Sequence, residues 1–425
     1  MKQQLLSFID WFKRLVGGEK LHGEFYRFLL VHMGFLIFTN LPGIFINTML
    51  IGQTNDFAIV MLYNAVFFLT SAFSMFIAAS LQHRTNPGII AIIGVVCYNL
   101  LYLFLFLQSE NAANHYILLG ALTGLADGFY WLSYGNLLSD TTDLSNRDSA
   151  LAMISLGLSF VKLLVPLVSG AIISGLQGTK GYLVVFGLAF AFSLLTAIAA
   201  MRLPSSKKKT HGGGTNYPAT MRLIWQDKKL LYGLMGQGAK GIREGAFLFI
   251  LSVVLYQLVS SELMIGLNSF FSNLFGILSY VVAGRILTRR NRIGHMYSSV
   301  IILTIMSVAS VVRPGSLSVW VFTVVNAFFS GFLENSCYTT FLDMLQLNGP
   351  VQNHRPEMLA LNEGSLVVGR LIGVGIILAL HYGVGPTVSV QLLSLLLLTL
   401  TQFGTAALCG KAMRLAQQQD KWATL

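Results

Sequence analysis

Residues 88–108, GIIAIIGVVCYNLLYLFLFLQ, form an apolar run without a single charged side chain. A helix of this length covers the roughly 30 Å hydrocarbon layer of a bilayer, so the segment is predicted to cross a membrane. Similar runs recur along the whole chain, and only 11% of the residues are charged. Soluble globular proteins carry about 25% charged residues. We therefore expect an all-α integral membrane protein.

Twelve membrane spans are predicted along the chain and are numbered in chain order. They are 27–51, 56–81, 88–108, 115–138, 149–174, 182–201, 231–257, 262–284, 294–312, 317–341, 357–381 and 387–409.

Basic residues outside the spans are distributed unevenly between the two sides of the membrane. Nearly all of them fall on the side that holds the N-terminus, whereas the opposite side holds only Lys180 and Arg313. Lys and Arg are enriched in cytoplasmic loops. We therefore expect a multi-pass protein of the plasma membrane of a bacterium, with both termini in the cytoplasm. The net charge of +11 is explained by this topology, and it gives no support for a nucleic-acid partner.

A polar connector separates the first six spans from the last six. It contains the basic and glycine-rich run SSKKKTHGGGT at 205–215, which is typical of a flexible linker. Residues 3–16 place their apolar side chains on one face and predict an amphipathic helix at the membrane surface. The predicted organisation is a cytoplasmic amphipathic N-terminal segment at 1–23, a first six-helix half at 24–201, a cytoplasmic linker at 202–229, a second six-helix half at 230–410 and a cytoplasmic tail at 411–425.

The second half repeats the first. At one constant offset, Asn64 aligns with Asn268 and Asn40 with Glu244. An internal repeat of this kind indicates duplicated structural units. The predicted fold is therefore twelve transmembrane helices in two pseudo-symmetric six-helix bundles.

A basic loop follows span 8. It consists of Gly284 and Arg285, followed by Arg289 and Arg290. With twelve spans in two related halves, the sequence resembles the major facilitator superfamily, which carries such a loop between spans 2 and 3 and again between spans 8 and 9. The resemblance implies a transporter for a small-molecule solute that works by alternating access, and we expect a monomer. It also implies that spans 1, 4, 7 and 10 line a central cavity.

Ionisable residues inside the spans are the best candidates for function, because a charge in the bilayer centre costs at least about 2.5–3.5 kcal/mol. Asp127 and Lys162 both lie roughly 18–20 Å from the loop that joins spans 4 and 5, at 1.5 Å per residue. Glu334 and Arg370 lie at the equivalent depth around the loop between spans 10 and 11. The sequence therefore predicts one ion pair in each half, Asp127–Lys162 and Glu334–Arg370. Each pair could be a structural clamp, or it could line the cavity and bind solute or a proton.

Span 7 adds Lys240, Arg243 and Glu244. Lys240 and Glu244 are four residues apart, so they share one face of a helix. By the resemblance, this cluster, together with the Asn40 of span 1, Asp127 and Glu334, would face the solute. Trp131 lies one turn from Asp127 and is a further candidate, and Pro42 is expected to kink span 1 near Asn40.

The leading hypothesis is a secondary active transporter, proton-coupled, for a small polar, anionic or amphipathic solute. The four cations and three acids of the spans leave one positive charge, which favours an anionic solute. The sequence contains no Gly-x-x-x-x-Gly-Lys-Ser/Thr motif that would indicate use of ATP. Neither an enzyme nor a cofactor or metal site is predicted. Multidrug efflux and a non-transporting membrane sensor or lipid-handling protein on the same fold remain the alternatives.

Overall fold

The computed structural model describes residues 23–82, 85–142, 147–176, 179–203, 216–247, 249–286, 291–347 and 355–423. All regular secondary structure in these ranges is helical. Ten segments of the described chain are long and apolar enough to cross a membrane, and one of them, Pro87–Leu138, contains predicted spans 3 and 4. The predicted all-α fold of twelve membrane helices in two bundles is confirmed.

The helices are numbered after the spans that they form, with a and b for the two parts of an interrupted helix. They are α1a Gly23–Asn40, α1b Gly43–Thr54, α2 Phe57–Gln82, α3 Pro87–Gln108, α4 Tyr116–Thr141, α5 Arg147–Leu176, α6 Thr179–Ala200, α7a Lys228–Phe247, α7b Ile250–Val259, α8 Glu262–Ile286, α9 Arg292–Val312, α10 Ser316–Leu347, α11 Arg355–Val384, α12a Val388–Leu400 and α12b Gln402–Ala423. A short helix, called the linker helix below, spans Tyr217–Gln226.

The first helix of each half is interrupted inside the bundle. α1a ends at Asn40 and α1b begins at Gly43, with Pro42 at its N-cap. Proline has no N–H to donate, and its ring clashes with the preceding turn, so the predicted kink of span 1 is confirmed. The second half breaks at a similar place, because Phe249 leaves the helical conformation just before α7b begins. The first helix of each half is thus divided into two pieces, and α12 of the second half is divided as well.

Glycines bring neighbouring helices into close contact within each half. Gly120, Gly124 and Gly128 recur every four residues on α4 and face α2. In the second half, Gly241 of α7a and Gly373 of α11 serve the same purpose, since a Cβ atom at either position would collide with the backbone of the other helix. Small residues allow helix backbones to approach closely where no hydrophobic effect drives association.

The two halves meet chiefly along two helix pairs, α2 with α11 and α5 with α8, and α1b also contacts α7b. In the second pair, Gly170 of α5 packs on the backbone of Glu262, and Gly266 of α8 packs on the backbone of Pro166. The largest cluster of buried apolar side chains includes residues of both halves. The charged residues discussed below therefore lie within reach of the opposite half.

Several predicted features fall on residues that the structure does not describe. The amphipathic segment at 3–16, the run at 205–215, and Arg289 and Arg290 lie outside the described residues. The backbone of Gly284 and Arg285 belongs to the end of α8. α12b continues to Ala423, through most of the predicted tail. The domain boundaries and the orientation of the termini stay predictions.

Candidate transport site

A cavity of about 510 Å³ lies between the two halves. This volume falls within the roughly 300–1,000 Å³ of small-molecule sites. Of the predicted site residues, Asn40 and Lys162 line it. The rest of the lining is dominated by amides and aromatic rings: Asn47, Asn64, Asn268, Asn273, Asn326, Tyr63, Phe67, Tyr98, Tyr102, Phe247 and Phe249. No carboxylate occurs among the described residues that line the cavity.

The two asparagines that mark the sequence repeat face this cavity from opposite halves. The Asn64 Nδ2 donates a hydrogen bond of 2.7 Å to the Oδ1 of Asn47. The Asn268 Nδ2 donates one of 2.6 Å to the hydroxyl of Thr323. Because these bonds fix one end of each amide, the remaining polar atoms are held in place rather than free to rotate.

Asp127 lies next to the cavity and accepts three hydrogen bonds. The indole Nε1 of Trp131 donates to its Oδ1 over 2.9 Å, and the hydroxyl of Tyr98 reaches the same oxygen at 3.4 Å. The Ser71 hydroxyl contacts the Oδ2 at 3.4 Å. Tyr98 also lines the cavity, so one hydroxyl connects the cavity with this carboxylate.

Glu244 is the centre of an ion-pair network in the second half. Its Oε2 lies 3.0 Å from the Nζ of Lys240 on the same helix. Its Oε1 lies 2.7 Å from the guanidinium of Arg370 on α11. The same guanidinium lies 3.9 Å from the carboxylate of Glu363. These side chains are mostly buried, and each charge is compensated by an opposite charge, as buried ions require.

Arg243 connects this network to the cavity wall. Its guanidinium donates to the Oδ1 of Asn326 and lies 3.9 Å from the centre of the Phe247 ring. A cation over an aromatic face is a favourable contact. Asn326 and Phe247 both line the cavity, whereas Arg243 does not, so Arg243 positions two wall residues from the side that faces away from the cavity.

The ion pairs predicted within each half do not form. Among the ion pairs of the described residues, none joins Asp127 to Lys162 or Glu334 to Arg370. Arg370 instead pairs with Glu244 and Glu363 of its own half. Asp127 and Lys162 interact with charges of the opposite half only electrostatically, without an ion pair.

Helix packing explains this correction. α4 packs against α2 and α3, whereas α5 packs mainly against α8 of the other half. Helices that are consecutive in sequence and equally deep were predicted to be neighbours, but the bundle separates them.

The charge count is also corrected. The three acids counted in the sequence do not include Glu363, which lies beside Arg370 in the structure. The described cluster then holds four cations and four carboxylates: Lys162, Lys240, Arg243, Arg370, Asp127, Glu244, Glu334 and Glu363. The surplus cation that favoured an anionic solute is therefore balanced.

Sequence reasoning missed Tyr98, Ser71 and Asn326 as members of the site. A single hydroxyl or amide within a span gives no signal about the direction in which its side chain points. Asn268 did carry a signal, because it aligns with Asn64 in the repeat.

Two bundles, a cavity between them and helices divided beside that cavity are the architecture of a membrane transporter. The family model of the Major Facilitator Superfamily matches residues 28–373. The chain belongs to this superfamily.

Two relatives and two solved structures are similar to this chain. YqgE of Bacillus subtilis (strain 168) is 25% identical over 59% of this chain and 58% of its own length, so the match spans little more than half of that relative. A protein of Geobacillus stearothermophilus from the sodM 3′ region is 28% identical over 41% of this chain and 82% of its own. A variant of the nucleoside transporter NupG superposes with a TM-score of 0.71 at 10% identity, over 91% of this chain and all of that one (100%). A D-xylose-proton symporter superposes with a TM-score of 0.65 at 12% identity, over 89% and 96%. At such identities these structures establish the fold alone.

Proposed function

We propose that this protein is a proton-coupled secondary transporter that moves a small polar solute by alternating access. The observation that carries the proposal is the cavity between the halves, with a cluster of buried charged side chains beside it. Ionisable groups inside the membrane usually serve a solute or ion pathway.

The cavity wall favours a solute that forms hydrogen bonds and offers a flat apolar face. Amide groups both donate and accept hydrogen bonds, and the aromatic rings supply stacking surfaces. A lipophilic cation would find Lys162 and no carboxylate among the described lining residues. This composition of the cavity wall does not favour multidrug efflux as the function.

Asp127 is the proposed proton carrier. As a carboxylate it interacts electrostatically with Arg370 of the opposite half, although the two side chains form no ion pair. Once protonated it loses that attraction, while Arg370 keeps its ion pair with Glu244 at 2.7 Å. Proton binding would then weaken one electrostatic link between the halves and leave the second half intact. A rearrangement can only be driven by a ligand that interacts differently with the two states, and this proton does.

The broken helices supply the moving parts. α1 and α7 are each divided beside the cavity, where Asn40 and Phe247 line its wall. Interrupted helices at the midplane are a recurrent feature of transporters with repeats, where they surround the solute. We infer that the a and b parts change their angle as the halves rock.

The test is transport by reconstituted protein carrying Asp127→Asn. A thermal-shift screen first identifies a solute; uridine and D-xylose are the first two compounds, because the structural neighbours are described as nucleoside and D-xylose-proton transporters. Liposomes with an imposed pH gradient should then accumulate the solute with the unaltered protein. The variant should lose this accumulation yet still exchange labelled for unlabelled solute at equal pH. Glu110→Gln, which neutralises an exposed acid outside the site, is the matched control.

Two outcomes would contradict the proposal. Normal accumulation by Asp127→Asn would exclude this residue as the proton carrier. A protein that binds solute but never exchanges it across the membrane would support the non-transporting sensor instead.

A further inference from the structure

The linker helix exposes an apolar and basic face that no other part of the described chain covers. On one side, Thr220 and Ile224 are buried. On the other, the side chains of Met221 and Trp225 are 40% and 67% exposed, and Arg222 is exposed between them. Residues at i and i+4 share a face of a helix, so the methionine and the indole form one continuous apolar strip.

The composition of this strip matches the surface of a membrane. Tryptophan is enriched at the level of the lipid headgroups, where its ring is partly apolar and its N–H meets polar groups. Arg222 is adjacent to it, and the exposed Lys228 begins α7a directly after the helix. Basic residues beside an amphipathic helix attract anionic phospholipids.

The position of the linker helix also matches a membrane surface. α7a, which follows within two residues, enters the bundle as a membrane span. Ile224 packs with Leu230 of that helix and with Met358 near the start of α11. The exposed face therefore points away from the protein at the level where a span begins.

The N-terminal end of the linker helix touches both halves. The Asn216 backbone N–H donates a hydrogen bond of 3.0 Å to the Glu357 carboxylate at the start of α11. The neighbouring Tyr217 places its ring 5.6 Å from that of Phe76 on α2. α2 and α11 form one of the two helix pairs between the halves. A ligand that restrains the linker helix would therefore also restrain α2 and α11 at one end of this helix pair.

We propose that the linker helix is a docking site for anionic phospholipid headgroups, and that lipid binding there adjusts the rate at which the two halves move. Trp225 and Met221 insert between the headgroups, and Arg222 binds their phosphates. The lipid-binding part stands independently of the transport function, whereas the effect on rate rests on the function proposed above.

Binding is tested by fluorescence quenching of the full-length protein in nanodiscs. The discs contain phosphatidylcholine with a rising fraction of dibromo-phosphatidylglycerol or, in parallel, dibromo-phosphatidylcholine. The Trp225 signal is the difference between the unaltered protein and Trp225→Phe. Quenching should be half-maximal at a lower fraction of the anionic lipid than of the neutral one, and this preference should decline at high salt.

Arg222→Gln gives the sharper comparison. One basic residue near an anionic surface contributes about 1 kcal/mol, so the variant should need roughly five times more anionic lipid. Arg313→Gln removes an exposed arginine between α9 and α10 and should change nothing. Equal quenching by both lipids, or an Arg222→Gln curve that matches the unaltered protein, would overturn the anionic-lipid site.

The effect on rate is measured separately by solute exchange in liposomes with and without phosphatidylglycerol. The unaltered protein should respond to the anionic lipid, and Arg222→Gln should respond less. If quenching shows the preference while exchange rates are equal, the lipid site stands and its role in transport is refuted. If no exchange occurs in any liposome, the proposed transport function fails instead.

Discussion

The substitution Glu244→Gln gives the most direct test of the ion-pair network. Gln keeps the shape and one acceptor oxygen of the side chain but removes its charge. Lys240 at 3.0 Å and Arg370 at 2.7 Å would then lose their shared partner inside the bundle. Removing one member of a buried pair typically costs about 3–5 kcal/mol, because a charge is left uncompensated.

The expected cost is at the lower end of that range. Arg370 retains Glu363 at 3.9 Å, and Lys240 still interacts with Glu334. We therefore expect a loss of about 3 kcal/mol. At roughly 2–4 °C per kcal/mol for a unit of about 150–250 residues, the unfolding midpoint should fall by about 6–12 °C.

The assay is thermal unfolding of purified protein in detergent, followed by intrinsic fluorescence. Glu110→Gln, an exposed acid, should unfold within about 1 °C of the unaltered protein, since surface substitutions rarely exceed about 0.5 kcal/mol. The double variant Lys240→Met with Glu244→Gln removes one stranded cation and should regain part of the loss. A midpoint for Glu244→Gln equal to that of Glu110→Gln would refute the network as a source of stability.

Two further predictions use matched positions. Gly373→Ala places a methyl group against the backbone of α7a and should destabilise the second half by about 1–3 kcal/mol in the same unfolding assay. Gly375 has open space around it, so Gly375→Ala should be neutral or slightly stabilising. Asn64→Ala and Asn268→Ala should each weaken solute binding about tenfold in calorimetric titration, because each removes one hydrogen-bonding group. The control Asn99→Ala removes an amide that is bonded to Ser193 outside the cavity. It should lower stability without changing the solute affinity.

The sequence was sufficient for the architecture because membrane crossing is a local property. Each span must satisfy its own backbone hydrogen bonds in lipid, so hydrophobic length alone marks it. The interruption at Pro42 is also a local property, because the proline itself breaks the helix. The internal repeat aligns Asn64 with Asn268 from the sequence alone, and both residues face the cavity.

The partners of the charges depended on the tertiary structure. Depth along a helix follows from residue number, but the neighbour of a helix and the direction of its side chains depend on how the bundle packs. That is why the pairs predicted within each half were wrong, and why Glu363 was left out of the charge count.

The sequence by itself determined that this chain crosses the membrane as two related bundles, with charged residues inside the spans of each. Only the tertiary structure decided that Arg370 pairs with Glu244 and Glu363 rather than with Glu334, and that Asp127 accepts hydrogen bonds from Trp131, Tyr98 and Ser71. The physical reason is the range of the interactions involved. The hydrophobic length of a span is a property of one helix. An ion pair between helices, in contrast, forms only where two helices that are distant in sequence bring opposite charges within a few ångströms.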